Sequence, residues 1–172
     1  GSGTVLDTAR FRALMGNRLN VDPRSVHGYV IGEHGDSEVV VWSRATVAGL
    51  PVEDFCHQRG IAYNAMLRDD IGMQVRRAAY EIIARKGATY YAIGLGIRHV
   101  VESILRDQNT ILTVSTLMTG QFGIKDICLS LPSIVDHGGV EGVLLPDLSP
   151  DELISLQRSA TLLQQVASSI NL

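Results

Sequence analysis

The sequence predicts an α+β domain in which antiparallel sheets pack with long helices. Three observations predict it. The elements follow the order helix, hairpin, two helices, three strands, helix, which segregates strands from helices rather than alternating them. The helical stretches repeat their apolar residues at three- and four-residue spacing, whereas the strand-like runs are short and bounded by glycines. No strand leads through a G-x-G-x-x-G turn into a helix, the unit that opens a doubly wound sheet.

Leu6, Phe11, Leu14, Met15 and Leu19 mark the first amphipathic helix, which Pro23 stops by lacking a backbone donor. Val26 to Ile31 reads as a strand, 32–37 as a polar connection, and Val39 to Trp42 as the returning strand. Residues 45–52 read as a loop with a short strand or turn near Gly49 and Pro51. Ala62 to Lys86 predicts a long helix with a bend at Gly72, and Thr89 to Arg106 a second helix after Gly87. Thr110 to Met118, Asp126 to Val135 and Val140 to Leu145 predict three strands separated by Gly120, Gly123 and Gly138-Gly139. The last helix opens on Ser149-Pro150-Asp151-Glu152, a capping box with proline at its first position.

A chain of 172 residues is long enough to bury a core without staples, so one domain is expected over 1–172. The net charge of -3 argues against a nucleic-acid partner, since binders of this size are usually basic. No apolar run approaches the ~18 residues of a membrane span. Cys56 and Cys128 stand far apart with no C-x-x-C partner, as fits a reducing cytoplasm. His34, Asp36, His57 and His137 follow no metal-ligand spacing, and no metal is expected.

The least ordinary stretch is Ile31-Gly32-Glu33-His34-Gly35-Asp36-Ser37. A histidine between glycines at a strand exit has its imidazole uncovered and suits acid–base work near neutral pH; read blandly, it is a polar hairpin connection. Asp7 and Arg10 stand three apart on one helix face, where the acid can orient a histidine and the guanidinium fork can hold a carboxylate. By spacing alone the same pair also reads as a surface ion pair worth a few tenths of a kcal/mol. Ser37, His34 and Asp7 are the residue types of a hydrolase triad, but no G-x-S-x-G elbow accompanies them.

These motifs resemble the C-terminal catalytic half of the lactate/malate dehydrogenase family. Residues 31–37 match the active-site signature of the L-lactate branch, and malate-specific relatives usually carry Gly where this chain has Glu33. The likeness continues through Leu6-Asp7-Thr8-Ala9-Arg10-Phe11-Arg12, Arg77-Ala78-Ala79-Tyr80-Glu81-Ile82-Ile83, Lys86-Gly87-Ala88-Thr89-Tyr90-Tyr91-Ala92-Ile93-Gly94 and Phe122-Gly123-Ile124-Lys125-Asp126. Val39-Val40-Val41 departs slightly, since relatives often have Pro there.

The resemblance implies NAD-dependent interconversion of pyruvate and (S)-lactate, the last step of fermentative glycolysis. It implies His34 as proton donor and acceptor beside the cofactor, Asp7 as its orienting acid, and a substrate site of Asp7, Thr8, Ala9, Arg10 and Thr89. Arg10 would bind the substrate carboxylate, and Ile93 would press on the nicotinamide ring. Arg12 and His27 resemble the positions at which bacterial members bind fructose 1,6-bisphosphate across a two-fold axis of a homotetramer. Tyr80 lies in a segment that some members phosphorylate, though it reads equally as a helix-face aromatic. The family keeps its Rossmann NAD-binding domain N-terminal to this region, so the chain is expected to be a fragment with negligible turnover by itself. Malate dehydrogenase of the same family, and a non-catalytic oligomerising or effector-binding module, are the alternative readings.

Overall fold

The computed structural model describes residues 1–170. Helix α1 spans Val5–Leu19, and strands β1 (Val26–His27), β2 (Val30–Ile31), β3 (Val39–Val40), β4 (Thr46–Val47) and β5 (Leu50–Pro51) follow. Helices α2 (Val52–Gln58), α3 (Ala65–Lys86) and α4 (Tyr91–Leu105) come next. Strands β6 (Thr110–Leu112), β7 (Ser115–Thr119), β8 (Lys125–Ser130), β9 (Ser133–Asp136) and β10 (Gly139–Val143) lead to helix α5 (Pro150–Ser169). Among the described residues every strand pairing is antiparallel, in two three-stranded sheets, β1-β4-β5 and β10-β9-β6, and two hairpins, β2-β3 and β7-β8. The α+β class is as the element order predicts.

The differences from the sequence reading lie in the strands and in α2. The run Val26 to Ile31 divides into β1 and β2, which belong to different sheets. Thr110 to Met118 divides likewise into β6 and β7, and Asp126 to Val135 into β8 and β9 at Leu131-Pro132. Proline there cannot donate to a ladder, so the chain changes sheet where the pairing is interrupted anyway. Helix α2 was not expected: seven residues give too few turns for a period to show. Gly72 does not interrupt α3, which is continuous from Ala65 to Lys86.

Helix α1 is the centre of the fold. Its Phe11, Met15 and Leu19 are buried with Val26, Val30, Val47, Cys56, Ile71 and Val75 from the surrounding strands and helices. Phe11 meets Trp42 edge to face at 5.2 Å between ring centroids, a favoured aromatic geometry. The approach of α1 to the chain beyond β1 needs glycine at 28, because a Cβ there would sit 2.5 Å from Phe11 Cε1. Phe11→Ala is expected to cost roughly 3–5 kcal/mol, read as a lower urea midpoint with unchanged slope.

The β2–β3 hairpin carries the 32–38 connection, and three contacts fix it. Gly32 exchanges backbone hydrogen bonds with Ser130 of β8 at 2.9 and 3.0 Å. Gly32 has φ +91°, and a Cβ on it would come within 3.0 Å of Ser159 Oγ on α5; only glycine combines that backbone with that approach. The backbone N–H of Glu33 donates to Ser159 Oγ at 2.9 Å. Helix α5 is in turn tied down by its capping box, whose Glu152 also accepts from the Ser43 backbone N–H at 2.9 Å.

Candidate functional site

Asp7 lies in the first turn of α1, where the helix dipole favours an anion. Its side chain is buried and both oxygens are engaged. Oδ1 accepts from Arg10 Nη1 at 2.8 Å, and Oδ2 lies 2.6 Å from His34 Nδ1. The i,i+3 spacing on α1 supplies the first contact. The hairpin connection supplies the second by hanging His34 over the start of the helix. The His34 ring remains 53% exposed, so one edge faces Asp7 while the rest is open to an incoming molecule.

The hydrogen bond that His34 donates to Asp7 raises the His34 pKa above its ordinary 6.5, against the opposing effects of burial and of Arg10. With Asp7 ionised, Nδ1 carries the hydrogen and donates it, which leaves Nε2 to exchange a proton with a ligand. Arg10 has a guanidinium fork only partly used by Asp7, and its side chain is 17% exposed. The three groups therefore combine a proton carrier, an acid that orients it, and a planar cation suited to carboxylate.

The other residues singled out from the sequence lie as follows. Thr8 is turned into the core, its hydroxyl away from the trio. Its hydroxyl accepts from the Val30 backbone N–H at 3.0 Å and pairs with Thr113 Oγ1 at 3.0 Å, stapling α1 to β2. Ala9 is exposed on α1. Thr89 is half-buried in the α3–α4 connection and Ile93 half-buried in the first turn of α4. Among the described residues no hydrogen bond joins Thr89 to the trio. Ser37 donates to Glu33 and pairs with Ser159 Oγ, so it braces the connection rather than serving His34 as a nucleophile.

Arg12 is half-buried, with Nε donating to the Gly28 carbonyl at 3.2 Å and its guanidinium 5.6 Å from the Tyr29 ring centroid. Burial lowers its pKa, against the pull of Tyr29. His27 is exposed on β1, adjacent in sequence to the glycine that Arg12 grips. Tyr80 is 59% exposed on α3, its hydroxyl 3.4 Å from Asp36 Oδ1.

The sequence reading passed over Glu38, which immediately precedes β3. It is 5% exposed, and its Oε1 has no hydrogen-bond partner among the described residues. Asp7, His34 and Glu38 each bring one polar atom to within 4.8 Å of the others. Burial, then the charge of Asp7, push the Glu38 carboxyl up to about 8. The available signal was an acid abutting the apolar run Val39-Val40-Val41, where a strand starts inward.

Fold and site together define a class: an α+β domain that presents an acid-steadied imidazole beside a guanidinium. Comparison with known proteins makes it specific. The family model described as lactate/malate dehydrogenase, alpha/beta C-terminal domain, matches residues 4–171. An L-lactate dehydrogenase of Thermoanaerobacter pseudethanolicus is 48% identical over 172 residues, all of this chain and 55% of that protein. One from Synechococcus sp. (strain JA-3-3Ab) is 54% identical over 170 residues, 99% of this chain and 54% of that one. Among solved structures, the minor L-lactate dehydrogenase from Enterococcus mundtii in its ligands-bound form superposes with a TM-score of 0.93 at 41% identity, covering 99% of this chain and 54% of that one. MGS-M5, a lactate dehydrogenase from a Medee basin deep-sea metagenome library, gives 0.94 at 37% identity, covering 100% and 55%. The chain belongs to the lactate/malate dehydrogenase family, as a C-terminal domain of it, and spans about half the length of these relatives.

Proposed function

We propose that this chain is the substrate-binding and proton-transfer domain of an NAD-dependent L-lactate dehydrogenase, interconverting pyruvate plus NADH with (S)-lactate plus NAD. The observation that carries the reading is the 2.6 Å contact of His34 Nδ1 with Asp7 Oδ2, with Arg10 on the other oxygen of the same carboxylate. In the reducing direction His34 donates its Nε2 proton to the carbonyl oxygen of pyruvate as that oxygen becomes the hydroxyl. In the other direction neutral Nε2 takes the hydroxyl proton of lactate. Asp7 holds the ring orientation and stabilises the imidazolium without itself taking the proton. Arg10 fixes the substrate by its carboxylate, so that the reacting carbon is held in one orientation.

NAD, when bound, supplies the hydride chemistry. The described residues fit only one end of it: every strand pairing is antiparallel, so they form no parallel βαβ cradle for a dinucleotide. Half-buried Ile93 and exposed Leu95 and Tyr91 give the start of α4 an apolar surface suited to a nicotinamide ring. Most of the cofactor site therefore belongs to the N-terminal domain that this family carries.

The finer reading is a bacterial-type cytoplasmic homotetramer regulated by fructose 1,6-bisphosphate. Its support is local: Arg12 Nε holds the Gly28 carbonyl, next in the chain to exposed His27, and arginine and histidine are both phosphate-binding side-chain types. Arg12 and Arg10 share α1, a physical route from effector to substrate clamp. Glu33 favours the lactate branch over malate-specific relatives, and exposed Tyr80 is accessible to phosphorylation. Two free cysteines, Cys56 and Cys128, are compatible with a reducing compartment. Among the described residues no helix is long and apolar enough to cross a membrane.

The test is reconstitution. The chain alone is expected to show negligible NADH oxidation with pyruvate. Joined to the N-terminal half of one of the L-lactate dehydrogenases it matches, it is expected to turn pyruvate over. A correctly folded fusion that binds NADH and remains inactive would mark the domain as a non-catalytic assembly or effector-binding module.

A further inference from the structure

We propose that Glu38 is a positioning residue of the proton-transfer site, a buried acid that exchanges charge with the His34 imidazole and so sets where that imidazole titrates. The proposal rests on the reading of Asp7 and His34 as an orienting pair and extends it to a third group. Its ground is geometric. Glu38 is anchored by the tight connection before β3, where its backbone N–H donates to the Gly35 carbonyl at 3.2 Å. Its side chain is 5% exposed, Oε1 lacks a partner among the described residues, and one polar atom each of Glu38, Asp7 and His34 lie within 4.8 Å of one another. An unpartnered carboxylate at such a site would pay the full cost of desolvation beside an existing anion, so the protonated form is favoured.

The charges facing Glu38 come from four elements. Helix α1 contributes Asp7, which resists its ionisation, and Arg10, which favours it; the hairpin contributes His34, which favours it once protonated. Arg76 of α3 is the strongest favourable charge. A cleft of about 390 Å³ also reaches Glu38 between α3 and α5, where Arg68 and Asp69 stand on one wall and Asp151 and Glu152 on the other. Glu33 and Asp36 of the hairpin and Arg158 of α5 line a second opening at Glu38. Both clefts are lined in part by Glu38, so solvent lies close to a proton it releases.

The consequence is coupling. When His34 gains a proton at Nε2, the new imidazolium favours loss of the Glu38 carboxyl proton to water: one N–H bond forms as one O–H bond breaks, and the net charge of the trio stays constant. His34 is raised above its ordinary 6.5 and Glu38 to about 8, and each feels the charge of the other. The protons then come off in steps that belong to the pair. Glu38 thereby prolongs the life of the imidazolium on the alkaline side.

Nuclear magnetic resonance titration of His34 Cε1 and Glu38 Cδ in this chain tests the proposal, beside Glu38→Gln and Asp7→Asn. In the unmodified chain Glu38 Cδ is expected to titrate near or above neutrality and to share inflections with His34. In Glu38→Gln, His34 is expected to titrate in a single step, lower by a few tenths to about one pH unit. An unchanged His34 curve in that variant overturns the proposal. If the variant does not fold, the unmodified chain still decides: Glu38 Cδ titrating in the ordinary carboxylate range overturns it. The Asp7→Asn arm reads the underlying pair separately. A His34 curve that Asp7→Asn leaves in place while Glu38→Gln moves it would sink the orienting role of Asp7 and keep that of Glu38.

Discussion

His34→Asn in the reconstituted dehydrogenase is expected to lower kcat about 10²–10⁴-fold, the usual worth of a positioned acid or base. Asparagine retains a polar side chain near Asp7 but cannot carry a proton to the substrate oxygen. Arg10 is untouched, so the KM for pyruvate is expected to change far less than kcat. The pH dependence carries a sign of its own. The hydrogen bond that His34 donates to Asp7 raises the His34 pKa, so the imidazolium needed for pyruvate reduction survives above pH 6.5 and is lost as pH climbs through the raised value. The stability contributed by the charged contact follows the same window: complete below 6.5, and lost as pH rises through the folded-state pKa. The alkaline limb of kcat/KM for pyruvate should therefore lie above the ordinary histidine value, and Asp7→Asn should move it down. Turnover within a few-fold of the parent in His34→Asn would end the assignment of His34 as the acid.

The long helices were legible in the sequence because each hides one face, and hiding one face writes a period of 3.6 into the apolar residues. Phe11, Met15 and Leu19 on α1 and the Ser149–Glu152 cap of α5 are of this kind. The strands were legible as apolar runs but not as partners. Gly28-Tyr29 and Leu131-Pro132 let one run serve two sheets, and which neighbour a two-residue strand finds is decided by tertiary packing. The site divides in the same way. Asp7 and Arg10 meet because three residues make nearly one helical turn, whereas Asp7 and His34 meet across 27 positions and only the residue types hinted at it. Thr8 lies between Asp7 and Ala9 in the sequence, yet one helical step turns its own hydroxyl to β2. Glu38 left only a faint mark, an acid at the start of the apolar run Val39-Val40-Val41, because burial does not change the residue type itself.

Arg10→Lys separates two roles that share one guanidinium. In the structure Arg10 Nη1 donates to Asp7 Oδ1 at 2.8 Å, an i,i+3 pairing whose charge a lysine would retain. If pairing with Asp7 were its whole purpose, lysine would serve almost as well and little would change. A carboxylate clamp is different. The arginine fork meets a carboxylate with two parallel hydrogen bonds, and the lysine ammonium meets it as a point charge. Losing one hydrogen bond to a charged group costs about 1.5–3 kcal/mol, so kcat/KM for pyruvate is expected to fall roughly 10–150-fold, with the urea midpoint nearly unchanged. Lysine keeps the positive charge that lowers the His34 pKa, so the pH profile should hold its position. Arg10→Ala removes that charge, and its profile should move toward higher pH as the imidazolium becomes easier to form. A lysine variant that retains kcat/KM within a few-fold would leave Arg10 as a partner of Asp7 alone and require another cation to hold the substrate.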